Sequence, residues 1–251
     1  ELAINADVLR LRDFVWNLSA NVSYNKNEIK ELYNGVQEYE LPNTSTKWVV
    51  GRPLGEFYIN RYAGVNPANG DPLWYDKEGN LTTEFRESDK VMVGKNYLAP
   101  WQGGFGTTLT WKGISVNAQF SWVADRWMFN NDRFFEESNG LYQSKRLLYD
   151  RWKKPGDVTD IPRWGVTPQM DSRFLEDASF LRLKNLMISY TFPQEWMKKT
   201  NFFTNARIYA QGQNLLTFTK FSGLDPEAFT NMYQAQYPMS RQYSFGLELS
   251  F

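Results

Sequence analysis

The sequence predicts an all-β chain of antiparallel strands, and three observations predict it. Apolar and polar residues alternate with a period of two over several long runs. Tight turns join some of these runs, and no apolar stretch is long enough for a membrane-spanning helix.

From Phe14 the even positions are Phe14, Trp16, Leu18, Ala20, Val22 and Tyr24, with Asn17, Ser19, Asn21, Ser23 and Asn25 between them. Successive strand side chains point to opposite faces, so this run has one apolar and one polar face. The same split recurs at Phe105, Thr107, Leu109 and Trp111 against Gly104, Gly106, Thr108 and Thr110. It returns at Ile114, Val116, Ala118, Phe120 and Trp122 against Ser115, Asn117, Gln119 and Ser121. These two runs meet at Trp111-Lys112-Gly113-Ile114, which reads as a tight hairpin. The chain closes with Tyr243, Phe245, Leu247, Leu249 and Phe251 on one face and Ser244, Gly246, Glu248 and Ser250 on the other. Weaker strands lie at residues 2–10, 56–65, 180–192 and 205–216, where adjacent apolar residues interrupt the alternation. In all, about eight strands are visible.

The connections are unequal: tight at 10–13 and 112–113, moderate at 193–204, and long from Lys26, Asn66, Asp125 and Thr217. Short turns on one side and long loops on the other are the asymmetry of an outer-membrane barrel. With the C-terminus on the short-turn side, a count of eight puts the 10–13 turn on the wrong side. A further strand is therefore expected, Thr46-Lys-Trp-Val-Val-Gly51, turning through Arg52-Pro53-Leu54-Gly55 into the strand with Phe57 and Tyr58. Within 133–152 the spacing of Leu141, Lys145, Leu148, Tyr149 and Trp152 predicts a short helix, stopped by Pro155-Gly156.

Composition narrows the function. Aromatics are 17% of the 251 residues, and Trp16, Tyr24, Trp48, Trp101, Trp111, Trp122, Tyr190 and Phe251 sit near strand ends, where membrane barrels carry aromatic girdles. The 28 basic and 28 acidic side chains balance, which argues against a nucleic-acid partner. With no histidine and no cysteine the commonest general base, metal ligands and thiol nucleophiles are missing. No catalytic residue, metal site or cofactor is expected, and the chain does not read as an enzyme. Asp132, Glu136, Glu137, Asp150, Asp157 and Asp160 match no calcium loop or glycosidase spacing and read as solvated loop charges. In hydrocarbon every backbone amide must be paired, so strands that cross a bilayer must close into a barrel. The rival is a soluble carbohydrate-binding β-sandwich, which also alternates and also uses aromatics.

Several runs resemble one family. Phe174-Leu-Glu-Asp-Ala-Ser-Phe-Leu-Arg-Leu-Lys-Asn-Leu-Met-Ile-Ser-Tyr-Thr-Phe-Pro193 is similar to the penultimate strand region of SusC/RagA-type TonB-dependent transporters of Bacteroidetes outer membranes. So are Arg207-Ile-Tyr-Ala-Gln-Gly-Gln-Asn-Leu-Leu-Thr-Phe-Thr-Lys-Phe-Ser-Gly-Leu-Asp-Pro-Glu227, Tyr237-Pro238 with Arg241, and the closing strand to Phe251. Gly51-Arg-Pro-Leu-Gly-Glu-Phe-Tyr58, Gly64-Val-Asn-Pro67 and Gly70-Asp-Pro-Leu-Trp-Tyr75 add to the match. The resemblance implies that residues 1–251 are the C-terminal part of a plugged barrel of about 22 strands, contributing about nine. It implies import of oligosaccharides or oligopeptides, a SusD-like surface lipoprotein, energy from an inner-membrane TonB complex, and a possible dimer of transporter–lipoprotein pairs. Neither a plug, a TonB box nor the earlier strands is found, so the chain is expected to start in mid-barrel.

In the long loops Trp127, Phe129, Phe134, Phe135, Tyr142, Trp152 and Trp164 are candidates for contact with sugar rings or peptides. The plainer alternative is that they pack the loops together or onto the lipoprotein, since aromatics also dominate protein interfaces. Leu224-Asp225-Pro226-Glu227 reads as a loop anchor.

Overall fold

The computed structural model describes residues 1–138, 144–228 and 230–251. Seven long strands form one antiparallel sheet: β1 (Leu2–Arg10), β2 (Phe14–Tyr24), β3 (Trp101–Trp111), β4 (Ile114–Ala124), β5 (Phe180–Thr191), β6 (Asn205–Thr219) and β7 (Gln242–Ser250). They lie side by side in chain order. The β3–β4 hairpin turns on Lys112 and Gly113, both at positive φ, the two-residue geometry that matches the strands' own twist.

The pairing register explains the alternation. One rung runs Leu9, Trp16, Leu109, Val116, Ile188, Ala210, Phe245 across all seven strands. The neighbouring rung runs Asp7, Asn17, Thr108, Asn117, Met187, Gln211, Ser244 on the opposite face. A slip of one residue anywhere would exchange the faces of that strand, so the apolar set pins the register. The polar face is tied by side-chain bonds, Asn17 Nδ2 donating to Asn5 Oδ1 at 2.8 Å, Asn117 Nδ2 to Thr108 Oγ1 at 2.7 Å and Gln211 Nε2 to Asn185 Oδ1 at 2.8 Å. On the apolar face the Thr107 hydroxyl accepts from Trp16 Nε1 at 3.0 Å, so these two polar groups satisfy one another.

The broken alternation in residues 180–192 comes from a β-bulge. The register shifts between Leu183 and Asn185 on both sides of β5, so Lys184 and Asn185 both face the polar side while Leu181, Leu183, Leu186, Ile188 and Tyr190 keep the apolar one. Opposite it, Asn214 takes φ +53° in β6.

The strand count differs from the sequence expectation of about nine. The chain does turn between Thr46–Val49 and Glu56–Ile59, but these join Glu38–Leu41 and Val91–Asn96 in a separate four-stranded sheet. At four residues each they fall short of the roughly 9–11 residues a tilted strand needs to cross a bilayer. Arg61–Val65 belongs to a further small sheet with Pro72–Tyr75 and Leu81–Thr82. Seven strands satisfy the side-of-membrane parity as well as nine would. The turns 11–13, 112–113 and 192–204 fall at one end, and the connections 25–100, 125–179 and 220–241 at the other.

The helix expected within 133–152 is two short ones, α1 (Asn131–Glu136) capped by Asn130 and α2 (Lys145–Tyr149) capped by Ser144. Leu141 lies outside the described residues. A third, α3 (Gln194–Thr200), sits in the moderate turn. None is long and apolar enough to cross a membrane.

The three long connections fold on one another. Trp127–Asn130 pairs antiparallel with Leu175–Asp177 of its own loop and parallel with Met232–Tyr233 of the next. Phe57, Ile59, Phe129, Phe174 and Leu175 form a buried core drawn from the first two loops. Met128, Ala178, Phe221, Ala228 and Tyr233 form a second from the last two. Among the described residues no second sheet covers the apolar face of the seven-stranded wall, where Ile4, Ile188, Phe245 and Leu247 are all exposed. That overturns the β-sandwich, whose stability needs two apolar faces packed together.

Candidate functional site

The polar face of the wall and the loops above it form the surface on which a solute could act. At the long-loop end a recess of about 630 Å³ is bordered by Asn21, Ser23, Gln102, Ser121, Phe180 and Glu227. Its lining is mixed: the amides and hydroxyls of Asn21, Ser23, Gln102 and Ser121 and the carboxylates of Glu1 and Glu227 alternate with apolar side chains such as Val22, Trp122 and Phe180.

The last loop is clamped to this wall by charge. Arg182 of β5 is buried and reaches Asp225 at 2.5 Å, Glu227 at 2.7 Å and the Thr217 hydroxyl at 3.0 Å. Lys184, placed on the same face by the bulge, holds Glu227 at 2.6 Å. Arg126 donates to the carbonyls of Pro226, at 3.1 Å, and Ala228. Burial pushes the Asp225 carboxyl up, but Arg182 and the backbone N–H groups of Met239 and Glu227 outweigh it and hold the carboxyl below its ordinary range. Asp225 and Glu227 thus anchor the loop, as the Leu224–Glu227 run suggests. Arg182 and Lys184 carry no mark in sequence, because a bulge and a contact some 43 residues away bring them there.

A second cluster organises the middle loop. The fully buried Glu137 side chain meets Arg133 at 2.7 Å, Arg146 at 3.0 Å and Arg173 at 3.4 Å. Arg133 also reaches Asp160 at 2.6 Å and Glu176 at 3.2 Å. Burial alone would lower the Arg133 pKa, yet Glu137, Asp160 and Glu176 raise it. Beside this cluster Asp171 accepts from Trp74 Nε1 at 2.8 Å. Burial pushes its carboxyl up to about 6, against the pull of Arg173 and of the Trp74 bond.

The aromatic candidates separate. Phe129 is fully buried between Phe134 and Phe174 and presents no surface. Phe134 and Trp127 pack against the same core, with Lys95 Nζ 3.7 Å above the Trp127 ring. Trp152 donates to the Pro67 carbonyl at 3.1 Å and lies against Gly70, where a Cβ would come within 2.4 Å of its ring. Phe135 and Trp164 keep exposed faces, 40% and 52% open, and the Arg151 guanidinium sits 5.6 Å from the Trp164 ring. Tyr142 lies outside the described residues. Several of the acidic candidates are engaged rather than merely solvated. Glu137 and Asp160 are ion-paired, Asp132 accepts from the Ala235 amide at 2.9 Å, and Asp157 caps the Lys153 and Lys154 amides.

No family model matches the chain. It is 29% identical over 286 aligned residues to TonB-dependent receptor P3 of Formosa agariphila, and 30% identical over 269 to TonB-dependent receptor SusC of Bacteroides thetaiotaomicron. All of this chain is matched in both cases, against 28% and 26% of those proteins. The structure of the RagAB peptide transporter superposes with a TM-score of 0.92 at 39% identity, over 99% of this chain and 28% of that one. The RagAB peptide importer in its "open-open" state gives 0.90. The chain thus spans little more than a quarter of the length of these relatives. It belongs with the SusC/RagA-type TonB-dependent transporters, of which it forms a stretch of barrel wall and the long loops above it.

Proposed function

We propose that the chain is part of an outer-membrane importer of oligomeric nutrients, working with a SusD-like surface lipoprotein and driven through TonB. The observation that carries this is the uninterrupted apolar rung across seven strands, backed by a hydrogen-bonded polar face. Such a wall is stable only with hydrocarbon on one side and a water-filled lumen on the other. Of the seven aromatic candidates, Phe135 and Trp164 are the described ones with large exposed faces left for a solute or a lipoprotein. Oligopeptides are placed first as cargo, because the RagAB peptide transporter is 39% identical to this chain over 99% of its length.

The test is fractionation of the native full-length protein, followed by uptake of labelled oligopeptides and oligosaccharides in cells with and without its gene. A detergent-dependent particle that co-purifies with a lipoprotein, and gene-dependent peptide uptake, are expected. A protein that stays soluble without detergent would overturn the membrane reading, and gene-dependent sugar uptake alone would reverse the order of cargoes.

A further inference from the structure

The short-turn end of the wall carries a belt that import does not require. The turns there abut one another: the Lys112 amide donates to the Asp13 carbonyl at 3.2 Å, the Thr191 amide to Gly113 at 2.9 Å and the Thr204 amide to Ser250 at 2.8 Å. Along their outer side the apolar face continues past the strand ends as linked rings. Tyr190 meets Phe192 at 5.1 Å between centroids, and Phe192 meets Trp196 of α3 at 6.1 Å. Phe202 meets Phe251 at 5.5 Å. Trp111, Trp196, Phe202 and Phe251 are each more than half exposed.

Basic side chains accompany these rings. Arg12, Lys112, Lys198 and Lys199 are exposed, and among the described residues none of them forms an ion pair. Lys112 Nζ lies over the Trp111 ring, 5.6 Å from its centre. Asp13 and Glu195 are the acidic residues of these turns without a basic partner, so positive charge prevails. Amphipathic rings with unpaired cations at one level are the composition of a surface that seats in the headgroup region of a leaflet.

From this juxtaposition we propose that the short-turn rim binds anionic phospholipid headgroups of the leaflet on that side. Trp196 and Phe202 sit among the glycerol and upper acyl groups, and Arg12, Lys112, Lys198 and Lys199 hold the phosphates. This rests on the membrane reading above. Each cation near an anionic surface adds about a fivefold preference, so the four together select strongly for charged over zwitterionic lipid.

The experiment uses the full-length transporter with an environment-sensitive fluorophore on Trp196→Cys, in vesicles of phosphatidylcholine and phosphatidylglycerol. In one preparation the bromine quencher is carried by the phosphatidylglycerol, in the other by the phosphatidylcholine. Quenching several-fold stronger by brominated phosphatidylglycerol than its share of the lipid accounts for is expected, lost when R12Q, K112Q, K198Q and K199Q are combined. Equal quenching by both lipids, or a preference that survives the four substitutions, would overturn the proposal, as would quenching by neither while the protein floats with the vesicles. A protein that does not float with either vesicle would overturn the transporter reading as well.

Discussion

Glu137 shows how much of the loop assembly hangs on single buried charges. Its carboxylate is held by Arg133, Arg146 and Arg173, and removing it leaves the buried Arg133 and Arg173 guanidinium groups facing one another. Glu137→Ala should destabilise the loop assembly by about 3–5 kcal/mol. Arg146→Ala, at the half-exposed edge of the cluster, should cost under about 1 kcal/mol. Hydrogen exchange over residues 125–138 and 144–179 of the full-length protein reads both, and equal effects would contradict this account. Asp171 adds a pH dependence of definite sign. Its folded pKa, about 6, lies above the ordinary 3.8, so the fold binds its proton more tightly than the unfolded chain does. The contribution is present in full below the ordinary value and is lost as pH rises through about 6, at most about 3 kcal/mol. Loop protection in the wild type should therefore gain on that in Asp171→Asn as pH falls from 7 to 4. Parallel profiles would show that the carboxyl titrates normally.

Among the elements, the two faces of the wall should answer oppositely to charge. Ile188 is half exposed on the apolar face, two residues in from the Tyr190 end of its strand, and Ile188→Lys should cost about 1–2 kcal/mol, between the midplane and interface values. Ser244→Lys, one rung over on the polar face, should cost under about 1 kcal/mol. Denaturant midpoints for folding into vesicles measure the difference, and a soluble fold would show none. The β3–β4 hairpin offers a second test. Gly113 has φ +88°, and a Cβ there would come within 2.6 Å of the Thr191 carbonyl oxygen. Gly113→Ala should lower the same midpoint, by a stability loss of about 1–2 kcal/mol from the left-handed backbone alone, with the carbonyl contact in addition. A neutral effect would mean that this turn relaxes freely.

For the molecule as a whole, β1 and β7 are each paired on one side only, so the seven-stranded sheet has two open edges. Unpaired amides are not tolerated in hydrocarbon and invite pairing with other chains in water. Residues 1–251 expressed alone should therefore give aggregated or polydisperse material in detergent, whereas the full-length protein gives a single species by light scattering. A monodisperse, sheet-rich preparation of the isolated segment would show that these edges close on each other.

The period-two pattern is local, so β2, β3, β4 and β7 could be read from side-chain order with the hairpin at Lys112-Gly113, and the aromatic girdle followed except for Trp48, which belongs to the loop sheet and not to the wall. Side parity showed that an eight-strand count was inconsistent, and it could not choose between seven and nine. That choice belonged to the tertiary structure. Short segments such as 46–49 and 56–59 look like wall strands in sequence, and only their pairing with 38–41 and 91–96 assigns them to the loop. The same limit governs the aromatics. Phe129, Phe135 and Trp164 are equivalent as letters, whereas burial depends on contacts between loops separated by wall strands, which no local pattern encodes. Sequence alone determined the faces of the wall, since a residue's parity along a strand decides what solvent it meets. The tertiary structure alone decided which loop side chains remain exposed and which charges, Arg182 and Glu137 foremost, hold the loops to the wall and to one another.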